Sequence, residues 1–335
     1  MPALRPFARG LSAVCMVLAL GLGTAGCDHV TDPDGPNLTD RFGDFAILDS
    51  LSADRATVDF AAGETVTFLA RFNKQVDWVV EITGRESGAV KRIEGFSNEL
   101  TAENARWAGG TTELPLFKDE LVDAVLLVPE EMADTSRAAV EVLSARTYAG
   151  NVAADFEGTD NITVGNFEFE FQNAGISSEV PPGQGNGFYL LRGADRNLRN
   201  FFVGLIDIRP RANAGFFTVP TSVPEDLYFN MFLRGLGTEY TIAVVQLIAD
   251  GNGTGRYEVD QDTVFPYGDI PVDFEGWQLF SKTVAEIGMT QTQAQQIVAI
   301  RVVLISDANA QPTPAQPVAF GIDYLTFTAG RALQL

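Results

Sequence analysis

Apolar residues recur at every second position in this chain, in short runs separated by Gly, Pro and Asn, and that period fits strands rather than helices. In "ETVTFLARFNKQVDWVVEITG", Val66, Phe68, Ala70 and Phe72 share one face, and beyond a turn expected at "NKQ" the period resumes with Trp78, Val80 and Ile82. "TGRESGAV", with Gly84 and Gly88, reads as a hairpin connection, and "DAVLLV" and "AAVEVLSA" as further strands. "PLFKDELV" and "PEEMADTSRA" are candidates for short helices. After a polar link at "TYAGNVAADFEG" the pattern returns. It runs through "NFEFEFQ", with Phe167, Phe169 and Phe171 on one face, then "GFYLLRG", "NFFVGLIDI", "DLYFNMFLRG", "EYTIAVVQLIAD", "GWQLFSK", "QIVAIRVVLIS" and "FGIDYLTFT". Residues 290–296 are expected to form a helical turn or two.

The first residues carry a different signal. Arg5 and Arg9 precede "LSAVCMVLALGLGTAG", an apolar run too short to span a bilayer, and Cys27 follows it directly. Residues 1–26 thus read as a secretory signal peptide. "GTAGC" resembles a bacterial lipobox, which implies cleavage before Cys27, lipidation of that cysteine and a cell-envelope protein anchored to the outer membrane. Residues 27–41, rich in Asp and Pro, read as a flexible tether.

Composition closes off much chemistry. The chain has two cysteines, and with Cys15 in the signal peptide and Cys27 lipidated none is left for a disulfide or a thiolate nucleophile. The single histidine, His29, falls in the tether, which removes triads and histidine metal sites. With 44 acidic against 23 basic residues and a formal net charge of −21, the surface repels nucleic acid. A pair of carboxylates could still serve a glycosidase, but no motif anchors one.

Strand counting predicts an all-β protein, with an immunoglobulin-like β-sandwich over residues 42–149 and a jelly roll over 150–330. "GETVTFLARFNKQVDWVVEI" resembles the early strands of bacterial immunoglobulin-like modules, with Trp78 in the core. "DFEG", "DLYFNMFLRG", "ADGNGTGRYEVDQDTVFPY", "GWQLFSKTVAEIG" and "GIDYLTF", in that order, resemble the galactose-binding-like jelly rolls of carbohydrate-binding modules and of Bacteroidota surface lipoproteins. The resemblance implies a non-catalytic protein that binds a glycan or a surface partner. It also implies a structural calcium ion, and the positions matching its ligands are Glu157 and Asp323. A structural or assembly subunit without a small ligand is the alternative.

Two further groups of candidates come from the residues themselves. Asp250, Asn252 and Thr254 alternate ahead of Gly255, like the opening of a calcium loop, but Gln261 stands where a bidentate Glu belongs. A hairpin joining "TIAVVQLIA" to "RYEV" would use the same residues, and the sequence favours that turn. For a ligand, the 24 Phe are core filling, and Trp277 is expected inside the jelly roll. Tyr189, Tyr257 and Tyr267, near strand ends, and Asn230 and Arg234, on one face of a strand, are the binding candidates.

Overall fold

The computed structural model describes residues 43–129, 131, 136–158, 162–168, 171–193, 202–237, 239–306 and 316–335. Arg5, Arg9, Cys15, Cys27 and His29, and with them the signal-peptide and lipidation readings, lie outside the described residues. Asp44–Leu335 forms one compact unit. Among the described residues no helix is long and apolar enough to cross a membrane.

The first seven strands are β1 (Ile47–Ala53), β2 (Thr57–Asp59), β3 (Val66–Gly84), β4 (Val90–Leu100), β5 (Arg106–Trp107), β6 (Leu121–Leu127) and β7 (Ser136–Ser144). They form one seven-stranded sheet in the order β1-β3-β6-β7-β2, with β4 and β5 also paired to β3. The expected turn at "NKQ" is absent, because β3 runs through it as a single 19-residue strand. Asn73 is held by β1's flank, where its carboxamide oxygen accepts the Ala46 N–H at 2.9 Å. The ladder to β4 absorbs the irregularity as a register shift between Arg71 and Val76. The first half of β3 therefore pairs with β1 and β5, and the second half with β4 and β6. Alternate residues of both halves, from Phe68 and Phe72 to Trp78, Val80 and Ile82, are buried in one core. Trp107 sits edge-on between Phe60 and Phe117, with ring centroids 4.6 and 4.8 Å away.

"PLFKDELV" is not helical. Leu116 and Phe117 enter different apolar clusters, which consecutive residues can do in extended chain. The nearly buried Glu120 carboxylate accepts the N–H groups of Glu86, Ser87 and Lys118 at 2.7, 3.0 and 3.0 Å, and so closes the β3–β4 hairpin. Of "PEEMADTSRA", residues 130 and 132–135 lie outside the described residues, and Ser136 onward is strand.

The remaining strands are β8 (Asn151–Ala154), β9 (Ile162–Glu168), β10 (Phe171–Ser177), β11 (Phe188–Gly193), β12 (Phe202–Pro210), β13 (Leu227–Leu236), β14 (Thr241–Ala249), β15 (Thr263–Pro271), β16 (Glu275–Thr283), β17 (Ile297–Ser306) and β18 (Ala319–Ala329). They make two facing sheets, ordered β10-β11-β18-β13-β16 with β8 on β18, and β15-β14-β17-β12-β9. Between them lies the main core, with Phe229, Met231, Leu233, Val245, Leu247, Ile300, Val302 and Phe327 fully buried. "NFEFEFQ" is two strands rather than one, since β9 belongs to the second sheet and β10 to the first. Phe169 and the side chain of Phe167 lie outside the described residues. "RYEV" is not the hairpin partner of β14 either. β15 starts at Thr263 and leaves a longer connection. The helical turn expected at 290–296 is α1 (Gln291–Ala294), opened by a Thr290 capping box with Gln293.

The outer face of the first jelly-roll sheet also meets the β5–β6 connection and the C-terminal residues across an apolar seam. Phe188, Leu190, Phe232, Trp277 and Tyr324 from the jelly roll are buried with Leu116 and Leu333. The Leu116 N–H donates to the Gly183 carbonyl at 2.8 Å. A Cβ on Gly183 would lie 2.9 Å from Phe232 and 3.2 Å from Trp277, so only glycine lets the chain pass that close.

Candidate binding face

Each jelly-roll sheet has one face on the main core and one facing outward. Alternation sends Asn230, Phe232 and Arg234 of β13 to the outer face of the first sheet, and the seam covers that face. Trp277 is buried as expected, but on this outer face: its indole N–H donates to the Pro181 carbonyl at 2.9 Å and Phe188 meets it edge-on at 5.4 Å. Asn230 is fully buried and internally satisfied. It donates to the Thr326 carbonyl and Thr328 Oγ1 at 3.2 and 3.0 Å, and accepts from Ser281 Oγ and the Leu333 N–H at 2.7 and 2.9 Å. Arg234 lies half-buried opposite Trp277 in the ladder, where burial lowers its pKa against the opposing pull of Glu179 and Glu275. The sequence grouped Asn230 and Arg234 on a ligand face, and they do share a face, but residues 331–335 and the seam occupy it.

Tyr189 and Tyr267 are corrected too. Both rings belong to the main core, Tyr189 against Phe156 and Tyr267 against Phe229. Burial pushes the Tyr267 hydroxyl far above its ordinary pKa. A ring within the core presents no face to a sugar.

The outer face of the second sheet is built differently. Asp207 of β12 stands opposite Arg301 of β17 in the antiparallel ladder. Its fully buried carboxylate accepts Arg301 Nε at 2.7 Å and Nη2 at 3.0 Å, a two-pronged pair. Arg209, two residues along β12 on the same face, makes a longer contact to the same carboxylate at 3.4 Å. Tyr257 lies against both guanidinium groups, at 4.8 Å from Arg209 and 5.6 Å from Arg301, and its hydroxyl accepts from Arg301. Burial raises the Tyr257 pKa and the Asp207 charge adds to the rise, while Arg301 opposes it. The Asp207 bond raises that of Arg301 against the effect of burial. Ile248, Val298 and Ala299 pack beside the ring. Val303 and Ile305 of β17 are buried farther along the strand, and Gln246 and Val244 of β14 are half-buried.

The connection 250–262 explains how Tyr257 reaches this face. The Asp250 carboxylate accepts the N–H groups of Asn252, Gly253 and Gly255 at 3.0, 2.7 and 2.7 Å. Burial pushes its pKa up, but the amide donors outweigh burial and hold it below the ordinary carboxylate range. The Asn252 carboxamide oxygen accepts the Thr254 N–H at 3.1 Å, and Asp262 accepts those of Gly251 and Glu258 at 3.0 and 2.8 Å. The short polar side chains are thus turned onto the loop's own backbone. The Tyr257 N–H donates to Asn213 Oδ1 at 3.1 Å, which docks the loop on the 3₁₀ turn Arg211–Asn213.

Glu157 and Asp323 come close at one end of the jelly roll. Asp323 is fully buried, and its two oxygens accept the Gln184 and Tyr324 N–H groups at 2.8 and 2.7 Å. Burial pushes its carboxyl well above the ordinary range and the charges of Glu157 and Asp155 add to the rise, while the two amides oppose it. Glu157 accepts the Asn186 and Gly187 N–H groups at 2.6 and 3.0 Å. Phe156 and Tyr324, each next to one of the acids, have left-handed backbone, with φ of 57° and 45°. The buried Gln184 Oε1 has no donor. Glu157 and Gln184 also line a polar cavity of about 340 Å³ with Glu86, Lys118 and Asp119. These are hard oxygens of the type calcium takes, and the Gln184 side-chain oxygen, left without a donor, is of the same type. Among the described residues no three acidic, His or Cys side chains converge within ligand reach of one point.

Sequence reasoning missed Asp207, Arg209 and Arg301. A signal was present: an arginine in the middle of "IVAIRVVLIS" and an aspartate in "GLIDIRP" interrupt apolar strands, and opposite charges in neighbouring strands suggest a cross-strand pair.

No family model matches the chain, and no curated protein does. Solved structures do. One comes from work on the promiscuous specificity of carbohydrate-binding modules of the β-sandwich superfamily, with 11% identity and a TM-score of 0.33, covering 84% of this chain and 97% of that one. A family 11 carbohydrate-binding module from Clostridium thermocellum, in complex with a β-1,3-1,4-mixed-linked tetrasaccharide, has 13% identity and a TM-score of 0.34, over 55% of this chain and 98% of its own. SGBP-B, from a complex xyloglucan utilization locus in Bacteroides uniformis, has 13% identity and a TM-score of 0.36, over 84% of this chain and 73% of its own. At such identities and TM-scores these likenesses are remote.

Proposed function

We propose that this is a non-catalytic, lipid-anchored protein of the cell envelope whose jelly roll binds carbohydrate on the outer face of its second sheet. One observation carries the reading. Of the two outer faces, the seam occupies one, and the other holds half-buried polar groups locked in place by Asp207 among apolar neighbours. Planar guanidinium and amide groups fixed on a sheet can bond sugar hydroxyls at little ordering cost, while half-buried Val244 of β14 offers an apolar contact beside them. The seven-stranded sheet acts as an immunoglobulin-like spacer, Cys27 carries the acyl anchor in the outer membrane, and nucleic acid is not a partner. A calcium ion at the end of the jelly roll would be held by Asp323, Glu157 and Gln184, and would neutralise the charge gathered there.

The test is a glycan-array screen of residues 42–335, followed by titration calorimetry on the hits. Binding that is weakened at least tenfold by Tyr257→Ala supports the reading. Absence of binding across neutral and acidic glycans removes it. A second reading, an assembly subunit without a small ligand, is favoured by apolar side chains exposed on the seven-stranded sheet, Phe96 at 62% and Leu143 at 53%. A stable complex recovered from detergent-solubilised envelope, with no sugar bound, would support that alternative.

A further inference from the structure

Charge on the proposed binding face does not balance. Arg301 is paired: Nε and Nη2 hold Asp207, and Nη2 also reaches the Tyr257 hydroxyl. Arg209 shares the same carboxylate only through one contact of 3.4 Å, and its Nε is buried without an acceptor. Two guanidinium groups therefore face one carboxylate, and Arg209 holds the excess charge with its side chain about one-fifth exposed. Arg211 and Arg256, at the two ends of the loop contact that seats Tyr257, are exposed, and neither makes an ion pair among the described residues. Of the nearby loop acids, Asp250 and Asp262 are committed to backbone amides and Glu258 to Asn252 and Thr254, while Asp260 is exposed. In a chain of net charge −21, this is a local concentration of unpaired positive charge.

We infer that the sugar taken on this face is acidic and that its carboxylate pairs with Arg209. The inference rests on the carbohydrate reading above and narrows it to uronate-containing glycans. Guanidinium is a planar, always-charged donor fork that matches a carboxylate, and a partly desolvated fork gains more from such a partner than one in open water. Stacking on Tyr257 fixes the plane of the Arg209 fork, so little freedom is lost when the anion arrives. The acidic remainder of the surface works against a long polyanion. At physiological ionic strength, however, charges beyond about 8 Å are largely screened, which leaves the arginines at the site as the dominant local field.

The test titrates the full chain, in detergent, with tetramers of galacturonate, glucuronate and mannuronate, with their methyl esters and with their carboxyl-reduced forms. Polyglutamate of equal charge and a panel of neutral glycans complete the set. At least one free-acid tetramer is expected to bind ten times more tightly than its ester, and the margin should shrink as salt rises. Arg209→Gln should erase that margin and Arg209→Lys should keep part of it. Should Arg209→Gln fail to fold, the acid-against-ester comparison on the unaltered chain decides alone. Equal binding of acid and ester, a margin that survives in Arg209→Gln, or equal capture of polyglutamate would overturn the inference. Preference for a neutral glycan would leave the carbohydrate reading standing and remove the acidic one. Binding of no sugar removes both.

Discussion

On the outer face of the first jelly-roll sheet, Phe188, Phe232 and Trp277 are buried by another part of the chain; on the second, Asp207, Arg301 and Tyr257 are buried by one another. Both faces use the same period of two, and both take large side chains out of water. They differ in what a partner must supply. The apolar face needs only a complementary surface and finds one in Leu116 and Leu333. The charged face needs every donor matched, and Arg209 is left under-matched. An apolar face is finished once it is covered, whereas a charged face one partner short has a use for a ligand.

The largest effect should come from the covered face. Trp277→Ala removes a buried indole from the seam and should cost about 3–5 kcal/mol, read as a fall in the denaturant midpoint with an unchanged slope. A cost below about 1 kcal/mol would mean the seam is a loose contact. The fragment 150–335 sharpens the same point. It should still unfold cooperatively, but at lower temperature than the full chain and with dye-binding apolar surface where the seam was.

Next comes the charged face. Asp207→Ala strands two partly buried arginines and should cost about 3 kcal/mol, because a broken buried pair leaves an uncompensated charge. Replacing the pair together, Asp207→Leu with Arg301→Met, should recover only part of that stability, since Arg209 stays unpaired, and should weaken the proposed sugar binding by freeing the Tyr257 hydroxyl. If the double variant binds normally, the arginine cluster is structural only and the contrast between the two faces collapses.

The Glu157–Asp323 end stands between these extremes: Asp323 is fully buried with no ion pair among the described residues, while Glu157 is exposed. With calcium at a hundredfold excess over its Kd, chelation should remove about 2.7 kcal/mol of stability from the full chain. Asp323→Ala should abolish that dependence and Asp250→Ala should spare it. The reverse pattern would make the 250–262 loop the metal site.

The smallest effect concerns pH. The folded-state pKa of Asp250 is depressed, so its contribution is fully present above its unfolded pKa and is lost as pH falls through the folded value. Asp250→Asn should therefore flatten the acid limb of the stability curve below about pH 4. An unchanged acid limb would show that the amide bonds persist in the unfolded loop.

Where the sequence was legible, the reason was local. Strand identity follows from side-chain period, and a helical turn was expected over 290–296, where the structure places α1 behind a Thr290–Gln293 capping box. The long β3 was obscured because Asn73, Lys74 and Gln75 look like a turn, and only the distant partner at Ala46 shows that they continue a strand. Leu116 and Phe117 suggested a helix because nothing nearby reveals that they serve two different cores. Tyr189, Tyr257 and Tyr267 were named on the same ground, since a tyrosine near a strand end reads the same whether its ring turns into the core, as at 189 and 267, or onto the outer face, as at 257. Asn230 and Arg234 were placed on the right face of the strand, but a strand's sequence does not say which neighbour will cover that face.

The seam also bears on how such a chain can be inherited. A jelly roll that is apolar only inside can be cut out at its linker and joined to another protein as a portable cassette. Here Leu116 fills a site made by Phe232 and Trp277, and Gly183 is kept bare to let the chains approach. Shuffling the jelly roll into a new host would leave those rings uncovered, and exchanging the seven-stranded sheet would leave Leu116 without its socket. The two parts are therefore expected to travel, duplicate and diverge as a pair, with change at one side of the seam answered at the other.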